Sequence, residues 1–340
     1  MQIKTMNAWP MQCVLATYAA VLGVYGTPGS LHAAPTHCEP VSRARESLDD
    51  RVWTRVATLT KAGSYCLTED IKSKDMFDFS SGGRVTNKSP MWEVEAGPVQ
   101  IDLQQHELSS NEPVAPVWVR APDTSIANGM IRAGGGGGIW LYEAWFTSLR
   151  SDHSSDGVLN KVLAYAYQQD VEPFTGQGRT SIQRGGLRLD YMQINAGTST
   201  RQRFGAVGVG GRRSGNSITN SRITVSNGHA AIYFFGAGQR IEGNTIVLKC
   251  PDATPSAAPI KLHAADNSVI RNNTIVVDCW SAKPEAAISL VDSRNVVIEN
   301  NRIIGVKQLY KVWDERPDQY SSVIERDNRF PTLWDRILGR

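Results

Sequence analysis

A histidine between two aspartates is the first group in this sequence that could perform acid–base chemistry. It lies in the segment RSDHSSDG, residues 150–157, and consists of Asp152, His153 and Asp156. A carboxylate beside an imidazole can orient the ring for proton transfer near neutral pH. We therefore predict that these three residues are catalytic. The alternative is a polar turn in which an aspartate bonds to the backbone.

A block of arginines between residues 179 and 222 is the second candidate. It holds eight arginines and one acid, so its net charge is +7, whereas the rest of the chain after residue 34 carries −5. Arginine binds carboxylate and sulfate groups with paired hydrogen bonds, and a focused positive surface attracts an acidic polymer. We predict four substrate-binding residues in this block: Arg184, Arg188, Arg201 and Arg203. A solvated basic loop is the alternative.

The segment LRLDYMQI, residues 187–194, alternates inside this block as a strand does. Period 2 separates two sets of residues: Arg188, Asp190 and Met192 on one face, and Leu187, Leu189 and Tyr191 on the other. Arg188 would clamp a substrate carboxylate if its face lines a groove, or form a surface ion pair with Asp190. Tyr191 is a candidate catalytic acid or base.

Three short segments in the second half of the chain form a third candidate. AAIYFFGAG, APIKLHAAD and AAISLVDSR bring Ile232, Ile260 and Ile288 into register, 28 residues apart. The inward partners are then Phe234, Leu262 and Leu290, and the outward residues are Tyr233 with Phe235, Lys261 with His263, and Ser289 with Val291. We predict that His263 is catalytic and that Tyr233 and Lys261 bind sugar.

Aromatic residues of the segment GGGIWLYEAW, 136–145, extend this platform upstream. Trp140 and Tyr142 are predicted to bind substrate, because aromatic side chains stack on sugar rings. Packing beneath loops is the alternative.

A repeat of about 28 residues must position all of these side chains. The segments NSVIRNNTIV (267–276) and NVVIENNRII (295–304) are two copies of it. The pattern apolar–x–x–Asn–x–apolar, with one degraded copy, begins at nine residues: Leu103, Ile126, Val158, Leu189, Ile218, Ile241, Ile270, Ile298 and Glu325. Its apolar residues alternate, so each copy is a strand unit stacked on its neighbours. We assign the asparagines structural roles, in left-handed turns and in side-chain stacks along the axis.

The sequence resembles the right-handed parallel β-helix proteins of the pectin-lyase-like superfamily over residues 60–330. AGSYCLTEDI (62–71) and GPVQIDLQQHELSS (97–110) are similar to the first coils of such domains. The resemblance implies an all-β fold, a single-stranded right-handed parallel β-helix of about nine coils at 61–330. An N-terminal cap at 35–60, helical over 42–60, would precede it, and a C-terminal tail at 331–340 would follow.

Proteins of this superfamily mostly act on polysaccharides. The signatures of polygalacturonases are reduced here to GHA (228–230) and IKL (260–262), and the preceding FGAVGVGGRR lacks their aspartate pair. Glycoside hydrolysis by two carboxylates is therefore not expected. We expect a lyase or epimerase acting on a uronic-acid glycan, or else a non-catalytic β-helix that binds or escorts an exopolysaccharide. No metal or cofactor is expected; a calcium ion has no carboxylate cluster to support it.

The first 34 residues have the pattern of an export signal. Lys4 is their only charged residue, CVLATYAAVLGVYG (13–26) is apolar, and LHAAP supplies small residues for cleavage. A retained anchor is the alternative. We expect a periplasmic or secreted protein without stable membrane insertion.

Four cysteines remain beyond the signal, which permits two disulfides in an exported chain. We predict the pairs Cys38–Cys66 and Cys250–Cys279; two buried thiols are the alternative for the second pair. Beyond residue 34 there are 35 basic and 33 acidic residues, so the total charge gives no support to nucleic-acid binding. The expected partners are an acidic polysaccharide and a polysaccharide export system.

Overall fold

The structure is a computed structural model, and the described part of the chain consists almost wholly of parallel strands. It comprises residues 37–41, 57–72, 91–95, 97–110, 116–119, 121, 123–133, 139–141, 186–197, 207–209, 215–226, 230–249, 257–279, 284–314 and 321–331. These residues contain no helix, and every strand pair among them is parallel.

Sheet A contains 16 strands arranged as two adjoining ladders. The first ladder is β1 (Glu39–Val41), β3 (Gly63–Leu67), β6 (Val99–Asp102), β9 (Thr124–Ala133), β11 (Arg188–Gly197), β13 (Ser217–Thr219), β16 (Arg240–Glu242), β19 (Val269–Arg271), β22 (Val296–Glu299) and β25 (Val323–Arg326). The second adds β4 (Ile71–Lys72), β7 (Glu107–Ser110), β14 (Arg222–Ser226), β17 (Thr245–Lys249), β20 (Thr274–Asp278) and β23 (Arg302–Ile304). The long strands β9 and β11 take part in both ladders.

Sheet B contains nine strands among the described residues. They are β2 (Ala57–Leu59), β5 (Trp92–Val94), β8 (Val117–Val119), β10 (Ile139–Leu141), β12 (Val207–Val209), β15 (Ile232–Phe235), β18 (Ile260–His263), β21 (Ala286–Val291) and β24 (Gln308–Val312). In the regular part of the chain, one coil is two strands of sheet A followed by one of sheet B.

An asparagine with positive φ forms the corner between the two ladders of sheet A. Asn128, Asn220, Asn272 and Asn300 have φ values between 49° and 59°. Asparagine tolerates this left-handed conformation better than most residues, so one residue suffices to turn the chain. The predicted turn role of these four asparagines is confirmed.

In the three coils that begin at Ile241, Ile270 and Ile298, the residue after the corner is a buried asparagine: Asn244, Asn273 and Asn301. Asn273 Nδ2 donates to Asn301 Oδ1 at 3.0 Å, and Asn244 Nδ2 donates to Asn273 Oδ1 at the same distance. Asn301 Nδ2 continues the series to Asn328 Oδ1, also at 3.0 Å. The predicted stack of asparagine side chains along the axis is therefore present, and it satisfies polar groups that the coils bury.

Branched apolar residues fill the interior at the repeat positions. Ile218, Ile241, Ile270 and Ile298 occupy successive positions of one register row and have no exposed surface. Burying each contributes about 2 kcal/mol relative to leaving it exposed. In the last coil the same row ends at Glu325, which is exposed.

Two copies of the predicted repeat are corrected. Ile101, and not Leu103, is in register with Ile126, because the corner between β6 and β7 uses two residues of positive φ, Gln104 and Gln105. Val158 lies outside the described residues, and β9 pairs directly with β11, so the ladder of sheet A has no further strand between these two.

The predicted N-terminal helix is wrong where the structure describes it. Residues 57–59 form β2 and pair with β5, so sheet B already begins there. Residues 42–56 lie outside the described part of the chain, as do the signal segment and residues 332–340 of the predicted tail.

Candidate functional site

One register row crosses sheet B and collects most of the predicted binding residues that are described. Called the sheet-B row here, it runs Thr58, Glu93, Trp118, Trp140, Gly208, Tyr233, Lys261, Ser289 and Lys311. On either side of this row, the neighbouring strand positions point into the core. Phe234 and Leu262, for example, are buried, whereas Tyr233 and Lys261 are half-buried.

The last four members of the row alternate between a hydroxyl and a cation. Tyr233 is followed by Lys261, whose Nζ lies 5.8 Å from the centroid of the tyrosine ring. Ser289 comes next, and Lys311 completes the series on β24. Lys311 forms an ion pair with Glu285, and its Nζ lies 4.0 Å from the ring centroid of Trp313. Adjacent members are about 4.8 Å apart along the axis.

Ser289 is the most deeply buried of these four residues. Ser289 is 2% exposed, and its hydroxyl has no hydrogen-bond partner among the described residues. A buried hydroxyl is normally paired, because desolvation without a partner is unfavourable. Its place between two lysines therefore requires an explanation.

A histidine–aspartate pair lies beside the row at the end of two strands. His263 is the last residue of β18, two positions after Lys261 on the same face, and is therefore about 7 Å from it along the strand. Its Nε2 lies 4.0 Å from Oδ2 of Asp292, with the two side chains 14% and 2% exposed. The imidazole also packs against the ring of Phe235, at a centroid distance of 4.6 Å.

The turn that follows β21 fixes Asp292. Its φ is 44°, which places it in the left-handed region, and its backbone N–H donates to Oδ1 of Asp314 at 3.2 Å. Asp314 is held in turn by Ser321, whose backbone N–H and hydroxyl both donate to its carboxylate. The carboxylate that faces His263 is therefore positioned by its own backbone and by the next coil.

The opposite end of the sheet-B row carries a buried acid. Glu93 is 1% exposed and lies on β5 between Thr58 and Trp118 in register. The row thus has an acidic position near its N-terminal end and two lysines near its C-terminal end. An anionic ligand is favoured at the lysine end alone.

Arg188 and Tyr191 lie on sheet A and are not brought together with the sheet-B row. Arg188 is exposed on β11, and Tyr191 occupies the corner position opposite Asn128, with φ of 50°. This corner reverses the alternation of inward and outward residues, so Met192 is buried. The prediction that Met192 shares a face with Arg188 is therefore wrong. Asp190 accepts hydrogen bonds from Thr219 Oγ1 at 2.6 Å and Asn220 Nδ2 at 3.0 Å.

Several predicted site residues lie outside the described part of the chain. They are Asp152, His153, Asp156, Tyr142, Arg184, Arg201 and Arg203. Trp140 is described by its backbone register in the sheet-B row. The roles of all eight residues stay predictions.

Of the predicted disulfides, Cys38–Cys66 is confirmed, and the two cysteines have a Cα–Cα distance of 5.6 Å. Cys279 is buried, but Cys250 lies outside the described residues, so their pairing stays a prediction.

Comparison with protein families identifies the architecture. Residues 189–329 match a family model described as "Right handed beta helix region". Together with two parallel sheets wound by successive coils, this match decides the fold. The protein is a right-handed parallel β-helix. The comparisons with curated proteins and with solved structures each returned no match.

Sequence reasoning missed three residues of this β-helix site: Asp292, Lys311 and Trp313. The last coil is shorter, since Tyr310 pairs with Ile288 only 22 positions later, and this broke the 28-residue spacing that located the earlier coils. The alternation in QLYKVW could have placed Lys311 outward. Asp292 faces His263 only through the turn, which strand periodicity does not describe.

Two further findings concern metals and membranes. No group of three or more histidine, cysteine, aspartate or glutamate side chains in the described part of the β-helix is arranged to hold a metal ion. Within the same residues, no helix is long and apolar enough to cross a membrane.

Proposed function

We propose that this β-helix binds an acidic polysaccharide along the outer face of sheet B and removes a proton from one of its uronic acid residues, as a lyase or an epimerase does. The observation that carries the proposal is the pair His263–Asp292 beside Lys261. Lysine and aromatic residues of the sheet-B row supply a surface for the polymer, and the histidine supplies a proton acceptor. The disulfide Cys38–Cys66 supports a site of action in the periplasm or outside the cell.

The chemistry follows from where charge develops. When the C5 proton of a uronic acid leaves, negative charge accumulates on the adjoining carboxylate, and a nearby ammonium such as that of Lys261 stabilises it. His263 accepts the proton, and Asp292 stabilises the imidazolium that forms. In a lyase, the C5–H electron pair becomes the C4–C5 double bond, the C4–O bond breaks, and the imidazolium returns its proton to the leaving oxygen. In an epimerase, a second group protonates C5 from the opposite face.

Turnover assays on polymannuronate, polyguluronate and polygalacturonate test this proposal. Absorbance of the unsaturated product reports elimination, and proton NMR of the polymer reports a change in epimer content. We expect His263→Ala and Asp292→Asn to reduce turnover at least about 100-fold, as is usual for loss of general acid–base catalysis.

His106→Ala is the matched control, because His106 also lies beside an aspartate but immediately before β7 of sheet A, away from the sheet-B row. Its Nδ1 lies 3.3 Å from Asp70 Oδ1, and both side chains are more exposed than those of the sheet-B pair. Equal loss of turnover in both histidine variants, or an inactive wild type on all three polymers, would remove the enzymatic proposal.

A non-catalytic polysaccharide-binding β-helix is the second candidate. The observation that favours it is the burial of His263, whose side chain is only 14% exposed, although a general base must reach the substrate. Such a protein would bind acidic glycans through Lys261, would show no turnover, and would keep its affinity in the His263→Ala variant. Glycan-array binding of the wild type and these variants separates the two candidates.

A further inference from the structure

We infer that the alternation along Tyr233, Lys261, Ser289 and Lys311 selects a polymer whose carboxylates recur on one side at every second sugar. This inference rests on the proposed function, since it names the geometry of the polymer that the same surface would take. It starts from two facts of register. Lys261 and Lys311 lie two strands apart, and Ser289 lies between them.

Two strand steps correspond to about 10 Å along the axis of the stack. In an extended 1,4-linked chain with equatorial linkages, successive sugars are related by a two-fold rotation, and each sugar is about as long as one strand step. Consecutive carboxylates then point to opposite edges of the ribbon. Carboxylates on one edge therefore meet Lys261 and Lys311, while the intervening sugar presents hydroxyls to Ser289.

The buried hydroxyl of Ser289 is the independent sign of a ligand. It is 2% exposed and has no partner among the described residues, although it lies on the outer face of the sheet between two lysines. Lysine stems are flexible, so they can move aside from the hydroxyl when a sugar binds. The serine can then donate to or accept from a sugar hydroxyl, which gives its buried hydroxyl a hydrogen-bond partner.

The contacts of Lys311 are compatible with this role. Its ammonium forms an ion pair with Glu285 and lies over the ring of Trp313. An ammonium has three donors, so one acceptor on the protein leaves others for a ligand carboxylate. Glu285 and Trp313 hold the cation in place, which reduces the entropy lost on binding.

Titration calorimetry with three hexasaccharides tests the inference. The probes are the hexamer of β-1,4-linked mannuronate, the hexamer of α-1,4-linked galacturonate, and cellohexaose. The first two carry equal charge but differ in linkage, since axial linkages give a different rise and rotation per sugar. The third has the two-fold geometry without the carboxylates.

We expect the mannuronate hexamer to bind at least about tenfold more tightly than the galacturonate hexamer, and cellohexaose to bind most weakly. Lys261→Met or Lys311→Met should each weaken mannuronate binding about tenfold or more, in the range of a lost charge-assisted hydrogen bond. Ser289→Ala should weaken it about fivefold, as for a neutral hydrogen bond. Lys249→Met is the control, because Lys249 is exposed on sheet A, and it should leave the affinity unchanged.

The outcomes separate this inference from the proposed function. Equal affinity for both charged hexamers, lost in Lys261→Met, would overturn the two-fold geometry while leaving acidic-glycan binding intact. Unchanged affinity in Ser289→Ala would also overturn the inference; because this variant breaks no hydrogen bond among the described residues, misfolding is not expected to obscure the result. No binding of either charged hexamer would overturn both.

Discussion

Removing one asparagine from the buried stack should destabilise the β-helix far more than removing its neighbour in sequence. Asn273 is 1% exposed, and its side chain takes part in four hydrogen bonds. Its Nδ2 donates to Ile241 O at 2.9 Å and to Asn301 Oδ1 at 3.0 Å. Its Oδ1 accepts from the backbone N–H and from Nδ2 of Asn244, at 2.9 and 3.0 Å. Asn273→Ala deletes all four.

The magnitude follows from these contacts. At about 1 kcal/mol for each hydrogen bond, and with a buried N–H and a buried carbonyl left unpaired, the free energy of unfolding should fall by about 3–5 kcal/mol. Because Asn273 bonds to the coils before and after its own, the substitution leaves polar groups of both neighbouring coils without their partners. Urea unfolding followed by circular dichroism measures the change.

Asn272 provides the matched control one residue earlier. It is exposed, and its φ of 57° is a conformation that glycine adopts without strain. Asn272→Gly should therefore change the free energy of unfolding by only about 0.5 kcal/mol. If Asn273→Ala costs less than about 1 kcal/mol, or if the two variants cost the same, the stack does not carry the stability that the hydrogen bonds imply.

Three further predictions concern acid sensitivity, the disulfide and one glycine. Burial opposes ionisation of Glu242, but hydrogen bonds from Arg271 and Arg240 hold the pKa of Glu242 below its ordinary value of 4.5. Glu242→Gln should therefore lower the unfolding midpoint at neutral pH, and this effect should disappear as the pH falls through the lowered pKa. Thermal melts of wild type and variant at neutral pH and below that pKa test this, and an equal effect of the substitution at both pH values would refute it. Reduction of Cys38–Cys66, which closes a loop with a sequence separation of 28, should cost about 3–4 kcal/mol, and an unchanged urea midpoint with dithiothreitol would contradict this. Gly305→Ala should lower the free energy of unfolding by at least about 2 kcal/mol, because the φ of Gly305 is 93° and a Cβ there would collide with a carbonyl oxygen of β20. An unaltered thermal midpoint would argue against this prediction.

The regular half of the fold could be predicted because one physical requirement repeats in every coil. An inward branched residue recurs in every coil from Ile218 to Ile298, and a corner asparagine recurs in all of them except the coil of Ile241, where Gly243 takes its place. The branched residues and the corner asparagines were placed correctly. The outward positions of sheet B followed from the same alternation, which correctly placed Tyr233, Lys261 and His263.

The sequence was less informative where coils depart from this period. Two positive-φ residues at the corner between β6 and β7 moved the register by two positions. At another corner, Tyr191 occupies the place normally held by asparagine, and this concealed the change of face before Met192. The approach of His263 to Asp292 depends on a turn and on the stacking of two coils, so no local pattern contains it.

The direct pairing of β9 with β11 has a consequence for how this protein can diversify. β10 of sheet B ends at Leu141 and β11 of sheet A begins at Arg188, yet β11 pairs directly with β9, with Arg188 opposite Ser125. The entropy of closing a longer loop grows only logarithmically with its length, so the ladder tolerates additions at this point at small cost. The pairing of the strands therefore depends little on how many residues separate β10 from β11. New segments can be inserted between these two strands, by evolution or by design, without changing the repeat that folds the molecule.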